Sequence, residues 1–151
     1  MPTHSAGLLP YRKRNNQLEV FLAHPGGPYW KNKDEGAWMI VKGEFDEEEP
    51  MEAARREFKE ETGFALDEPL QELEPVKQSG GKVVHAFVVE ADLDPDEIES
   101  NTFEMEWPPK SGKKQSFPEI DRAAWFTMDE ARKKMLKSQR PLLERLEALN
   151  A

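Results

Sequence analysis

The chain contains no cysteine, which excludes a disulfide scaffold, a thiolate metal site and a cysteine nucleophile. It is also short of bases. Lys and Arg number 21 against 30 Asp and Glu, a net charge of −9, so it is not built to hold nucleic acid by neutralising phosphates. No apolar run approaches the roughly 20 residues that cross a bilayer, and no membrane partner is expected. The opening Met1-Pro2-Thr3-His4-Ser5 lacks the basic and apolar blocks of a secretory signal, which makes the cytoplasm the expected location. Hydrophobic residues make up 37% of the chain and charged ones 34%, a composition that allows a folded domain with a modest core. At 151 residues the expectation is one domain over 1–151.

Short apolar runs at 6–9 and 18–23, separated by Arg12-Lys13-Arg14-Asn15-Asn16, read as strand, turn and strand. Pro25-Gly26-Gly27-Pro28 opens a turn-rich loop, and strand character resumes at 38–41. From 50 to 62 the period becomes helical. Met51, Ala54 and Phe58 share a face, Pro50 suits the first helical position, and Gly63 suits the stop. The run 82–90 is rich in β-branched and aromatic residues, which implies a strand buried on both faces, with 78–81 as its turn. Apolar and acidic residues alternate strictly over 103–107, so one face of that strand should be packed and the other wet. A last strand at 123–126 leads into a helix opened by the capping-box pair Thr127 and Glu130 and running to about Leu136. A final helix begins near Pro141 and buries Leu142, Leu143, Leu146 and Leu149. Strands interspersed with helices predict an α/β fold, a mixed sheet covered by helices.

The acid is concentrated. Residues 43–63 hold nine acids and three bases, so this one segment carries most of the net charge and needs compensation. On a helix Glu57, Glu60 and Glu61 lie at i, i+3 and i+4, three carboxylates on one patch. A hard divalent cation, Mg²⁺ or Mn²⁺, explains such a patch economically. A merely solvated acidic face is the alternative.

This segment resembles the Nudix hydrolase box, G-x5-E-x7-R-E-U-x-E-E-x-G-U, where U is a bulky apolar residue. Arg56, Glu57, Phe58, Glu60, Glu61, Gly63 and Phe64 match its second half at every fixed position. The first half is one residue short. Glu48 keeps the spacing to Arg56, and Glu49 keeps the spacing from Gly43. The resemblance implies an α/β/α sandwich with a mixed sheet and metal-dependent hydrolysis of a nucleoside diphosphate linked to another moiety. It implies Glu57, Glu60 and Glu61 as metal ligands. Arg56 would orient the box by pairing with Glu48 or Glu49, Gly43 and Gly63 would shape it, and Lys42 would touch phosphate. The general base in such proteins is often a glutamate in the loop before the last sheet strand, a position that Glu119 fits, with Glu104 and Glu106 in reserve. The stretch 81–87 resembles a strand of dinucleoside polyphosphate hydrolases in which a lysine, here Lys82, precedes alternating apolar residues.

The remaining candidates are weaker. His4, His24 and His85 lack metal-ligand spacing, and His85 reads as a strand residue. Tyr29, Trp30 and Trp107 can stack on a base or anchor loops. Lys110, Lys113 and Lys114 form a basic loop that suits distal phosphates or plain solvent. The competing function is a catalytically silent Nudix-fold module that binds a nucleotide. Such a module would be expected to lose box carboxylates, and all three are present.

Overall fold

The computed structural model describes residues 3–150; Met1 and Pro2, part of the segment read for a signal, lie outside them. The chain forms strands β1 (Thr3–Arg14), β2 (Gln17–Pro25) and β3 (Val41–Glu44), helix α1 (Pro50–Thr62), strands β4 (Gln71–Glu72), β5 (Val76–Gln78) and β6 (Lys82–Glu90), then β7 (Thr102–Glu106), β8 (Lys114–Pro118) and β9 (Ile120–Thr127), and helices α2 (Met128–Lys134) and α3 (Pro141–Leu149). The main sheet has the order β4-β6-β1-β2-β9, with β3 added to β1 and β5 to β6. It is mixed, since β1 and β6 run parallel while the other pairings are antiparallel.

Local chemistry explains these elements. Asn15 and Asn16 both take left-handed φ, 51° and 62°, the two-residue turn that matches strand twist. Gly63 closes α1 with φ 84°, a cap conformation that Gly adopts without a Cβ penalty. Thr127 and Glu130 form both bonds of the capping box at α2.

Two cores flank the sheet. On one face Leu9, Val20, Leu22, Val84 and Val88 pack against Met128, Ala131, Leu142, Leu143 and Leu146 from α2 and α3. On the other, Ala6, Leu8, Phe21, Val41 and Phe87 pack against Ala53, Ala54 and Phe58 of α1. Strand β6 supplies both cores, as its continuous apolar run predicts. The result is the helix, mixed sheet, helix sandwich expected from the sequence.

Several expectations need correction. Trp38 and Met39 make only isolated bridges, and the regular strand starts at Val41. Trp38 bridges Met135 and Met39 bridges Ala23, so this stretch is tied to two different partners. Helix α2 stops at Lys134 because Met135 is extended. Met51 and Leu149 are exposed, each at the open end of its helical face. The alternating strand β7 pairs only with β8, in a two-stranded sheet of its own. Its half-buried face, Phe103 and Met105, belongs to neither core.

Candidate active site

The second edge of β1 is shared: Ser5–Leu8 pair with β3, whereas Tyr11–Arg14 pair with β2. Strands β2 and β3 therefore part, and a cleft opens where they do, lined by Ala23, Ile40, Val41, Lys42, Glu61 and Glu119 among others. Glu61 comes from the last turn of α1. Glu119 comes from the single residue between β8 and β9, where the chain leaves the hairpin for the main sheet.

Glu119 is fixed through its backbone. Its N–H donates to the Asn101 carbonyl (2.9 Å), and its carbonyl accepts from Gly26 N–H (3.0 Å). Gly26 approaches so closely that a Cβ there would lie 1.9 Å from the Pro118 carbonyl oxygen, so no other residue fits. Pairing of β2 with β9 shifts register between His24 and Pro25. Beside that shift the wholly buried His24 places Nδ1 2.8 Å from Asp121 Oδ1, and its Nε2 donates to the Lys33 carbonyl (2.6 Å). The loop after β2 is thereby pinned to β9, the strand that starts just after Glu119. Nothing in the sequence spacing pointed to Asn101, His24 or Asp121 as supports; the doubled glycine at 26–27 was the one signal of a close approach.

The box glutamates divide their attention. Arg56 donates to Glu48 from Nε (3.0 and 2.9 Å) and Nη2 (2.6 Å). Its Nη1 donates to Glu57 (2.8 Å) and reaches Glu60 at 3.3 Å. Glu48, not Glu49, thus faces the arginine; Glu49 sits at the N-cap of α1 and makes no side-chain cap bond. These partners hold Arg56 firmly protonated and keep the Glu48 carboxyl below its ordinary range, chiefly through the Arg56 hydrogen bond. The Glu57 carboxylate lies flush on Gly43, where a Cβ would come within 2.0 Å of its carboxyl carbon. Glycine at 43 is therefore a seat for Glu57.

Burial pushes Glu57 up despite Arg56. Glu61 is pushed up to about 7, first by burial and then by the neighbouring charge of Glu119, although Asn101 hydrogen-bonds it in the opposite sense. Lys42 is half-buried and lowered, by burial and then by the nearby Lys82. Lys82 itself is exposed at the start of β6 and does not line the cleft. Glu104 and Glu106 are exposed on the hairpin, and Glu106 accepts from the Lys110 N–H (2.6 Å) at its turn. Lys110, Lys113 and Lys114 are exposed at the hairpin tip. His4 and His85 meet at 2.9 Å, stacked beside Phe45.

Among the described residues no three His, Cys, Asp or Glu side chains converge as ready metal ligands. The donor set nevertheless suits a hard cation, because it consists of carboxylate oxygens. Glu57 and Glu60 already direct oxygens toward one cationic nitrogen of Arg56. Glu61 is held in a position where its own charge is costly and a cation would relieve it.

Residues 1–146 match the family model of the NUDIX domain. A comparison with curated protein sequences finds no match. Among solved structures, an Ap4A hydrolase of C. elegans in a binary complex is 22% identical, with 98% of this chain and 97% of that one covered at a TM-score of 0.67. The NUDIX domain of Shewanella oneidensis NrtR, complexed with ADP ribose, is 14% identical over 100% of this chain and 90% of that one, also at 0.67. A mutT/nudix family protein from Listeria innocua is 19% identical over 99% and 95%, at 0.65. At these identities the structures share the fold. Enzymes of this fold family generally use a divalent metal ion. With the model matched over nearly its whole length, the chain belongs to the Nudix family of hydrolases.

Proposed function

We propose that the chain hydrolyses, with Mg²⁺ or Mn²⁺, a pyrophosphate bond in a nucleoside diphosphate linked to another moiety: a dinucleoside polyphosphate, a nucleoside triphosphate or a nucleotide sugar. The observation that carries this reading is the meeting of Glu61 and Glu119 in one cleft that Lys42 also lines. An acidic cleft alone repels a pyrophosphate. The reading therefore assigns Glu57, Glu60 and Glu61 to hold a divalent cation, which neutralises phosphate charge and acidifies the attacking water.

The chain's own residues supply the rest. Glu119, anchored at both backbone groups, takes the proton of the attacking water. Half-buried Lys42 offers its ammonium to a phosphate oxygen, with Lys82 giving a more distant positive charge. Arg56, bound to Glu48, Glu57 and Glu60, orients the helix carboxylates. Gly43 seats Glu57, and Gly63 ends the helix just after Glu61. The reaction is then largely a matter of position and charge. The cytoplasm and a single domain are part of the same reading; among the described residues no helix is long and apolar enough to cross a membrane.

The test is a panel of the three substrate classes with Mg²⁺, Mn²⁺ or chelator, reading released phosphate or pyrophosphate. Turnover that requires the cation supports the reading. Tight nucleotide binding without turnover on any substrate would replace it with the silent binding module.

A further inference from the structure

Residues 36–40 lead from the loop after β2 into β3, and the C-terminal part of the chain holds them from one side. Gly36 N–H donates to the Lys133 carbonyl (3.1 Å), Trp38 N–H to the Lys134 carbonyl (3.0 Å), and Leu136 N–H to the Trp38 carbonyl (2.7 Å). The last two bonds, around the bridge of Trp38 to Met135, form a short parallel ladder. Its next bond would run from Ile40 N–H to the Leu136 carbonyl. That carbonyl is taken, because the chain enters a 3₁₀ turn (Lys137–Gln139) and Gln139 N–H donates to it (2.9 Å). The Gln139 side chain fills the gap, its Oε1 accepting from Ile40 N–H at 3.0 Å.

The geometry points to Gln139 as a positioning residue for the cleft: it sets the backbone at Ile40 and, through it, the place of Lys42 and of the Gly43 seat. The inference rests on the pyrophosphohydrolase reading and adds to it a residue far along the chain from the box. Ile40, Val41 and Lys42 are consecutive and all line the cleft that holds Glu61 and Glu119. Gly43 follows, with Glu57 upon it. Strand β3 is four residues long and pairs with β1, so its entry depends on the residues just before it. Of these, Met39 exchanges both backbone bonds with Ala23 of β2 (2.9 Å each), and Ile40 is held by Gln139.

The choice of glutamine carries the argument. Gln139 is wholly buried, and its Nε2 finds no hydrogen-bond partner among the described residues. A buried amide nitrogen left unpaired is destabilising. Met135, Leu142 and Leu143, nearby in sequence, are wholly buried as well, so an apolar side chain suits the setting and would remove that penalty. It would also leave Ile40 N–H without its acceptor, in the wall of the cleft. One polar group goes unpaired in either case. Glutamine moves the deficit from the backbone of the wall to a side chain that does not line the cleft.

Two variants separate positioning from stability, assayed with Mg²⁺ on the substrate that the wild type turns over best. Gln139→Met keeps the side-chain length and loses the accepting oxygen; Gln139→Glu keeps that oxygen and buries a carboxyl group. A purely structural role predicts that activity follows melting temperature, with the glutamate variant worse on both. Positioning predicts opposite orders. The methionine variant should melt at or above wild type yet lose about tenfold or more in kcat/KM, whereas the glutamate variant should melt lower and, while folded, stay within about threefold of wild type. A folded glutamate variant as slow as the methionine one overturns the role. Should the glutamate variant fail to fold, the methionine variant decides alone: wild-type kcat/KM, or a loss matched by a fall in melting temperature, overturns it.

Amide hydrogen exchange of the full chain gives a readout that needs no substrate. In Gln139→Met the Ile40 amide should exchange about tenfold or more faster than in wild type, with the Leu22 and Val84 amides unchanged; unaltered protection at Ile40 overturns the inference. The two arms distinguish this inference from the hydrolase reading. If the wild type turns over no substrate, that reading fails and exchange alone decides whether Gln139 holds the wall. If the wild type is a hydrolase and Gln139→Met matches its rate, the hydrolase stands and the positioning role falls.

Discussion

Glu61 and Glu119 reach the same cleft from different elements of the fold, and the charge on Glu119 makes ionisation of Glu61 harder. One closes the helix of the box and the other ends the hairpin, so neither is placed by the other's local structure. Burial and a second carboxylate in the same cleft both favour the neutral form of Glu61 unless a cation compensates its charge.

A stability test follows from the sign of that shift. Glu61 has a folded pKa of about 7 against an ordinary 4.5, so its neutral form is favoured by folding. Its contribution is full below about pH 4.5 and is lost as pH rises through 7. Without divalent ions, Glu61→Gln should melt above wild type at pH 8, with the gap closing toward pH 5. Added Mg²⁺ should raise the wild-type melting temperature more at pH 8 than at pH 6 and do little for the variant. A pH-independent gap measured by thermal melts would contradict this.

Gly43→Ala isolates the seat of Glu57. The new methyl group would overlap the Glu57 carboxylate on a backbone that any residue can adopt. Activity should fall by about a hundredfold, as expected when a reacting group is displaced by an ångström, while the melting temperature changes little. Steady-state kinetics beside a thermal melt decides it.

The Arg56 pairing distinguishes Glu48 from Glu49. Glu48→Gln should lower both melting temperature and activity, because it removes the negative charge facing the Arg56 guanidinium and one of the two oxygens that accept from it. Glu49→Gln should change neither, since its side chain makes no cap bond. Equal effects would show that the arginine is not the relevant partner.

Much of this architecture was readable in advance, for identifiable reasons. Helix α1 carries its own period, its Pro50 start and its Gly63 stop, and β6 carries an unbroken apolar run; both occupy the residues that local chemistry indicates. The box carboxylates follow from the helix. The region around Glu119 was harder to read. Its surroundings depend on Asn101, Gly26 and Asp121, which meet only through long-range pairing. Strand β7 reads correctly as half-packed, yet periodicity cannot say against what, and its half-buried face belongs to neither core. Leu149 and Met51 fit helical faces that run past the edge of what covers them.

The general base has its own test. Glu119→Gln should lower kcat by about 10²–10⁴-fold, with small effects from Glu104→Gln and Glu106→Gln, whose side chains stand on the exposed face of the hairpin. A collapse in either hairpin variant with near-normal activity in Glu119→Gln would move the role to β7.

The most direct test of a cation-dependent carboxylate site is kcat of Glu60→Gln and Glu61→Gln with saturating Mg²⁺, on whichever substrate the wild type turns over best. The amides keep shape and lose charge, so each should fall by about a hundredfold or more with the fold intact by circular dichroism. Wild-type rates in either variant would contradict the assignment of these helix carboxylates to the metal.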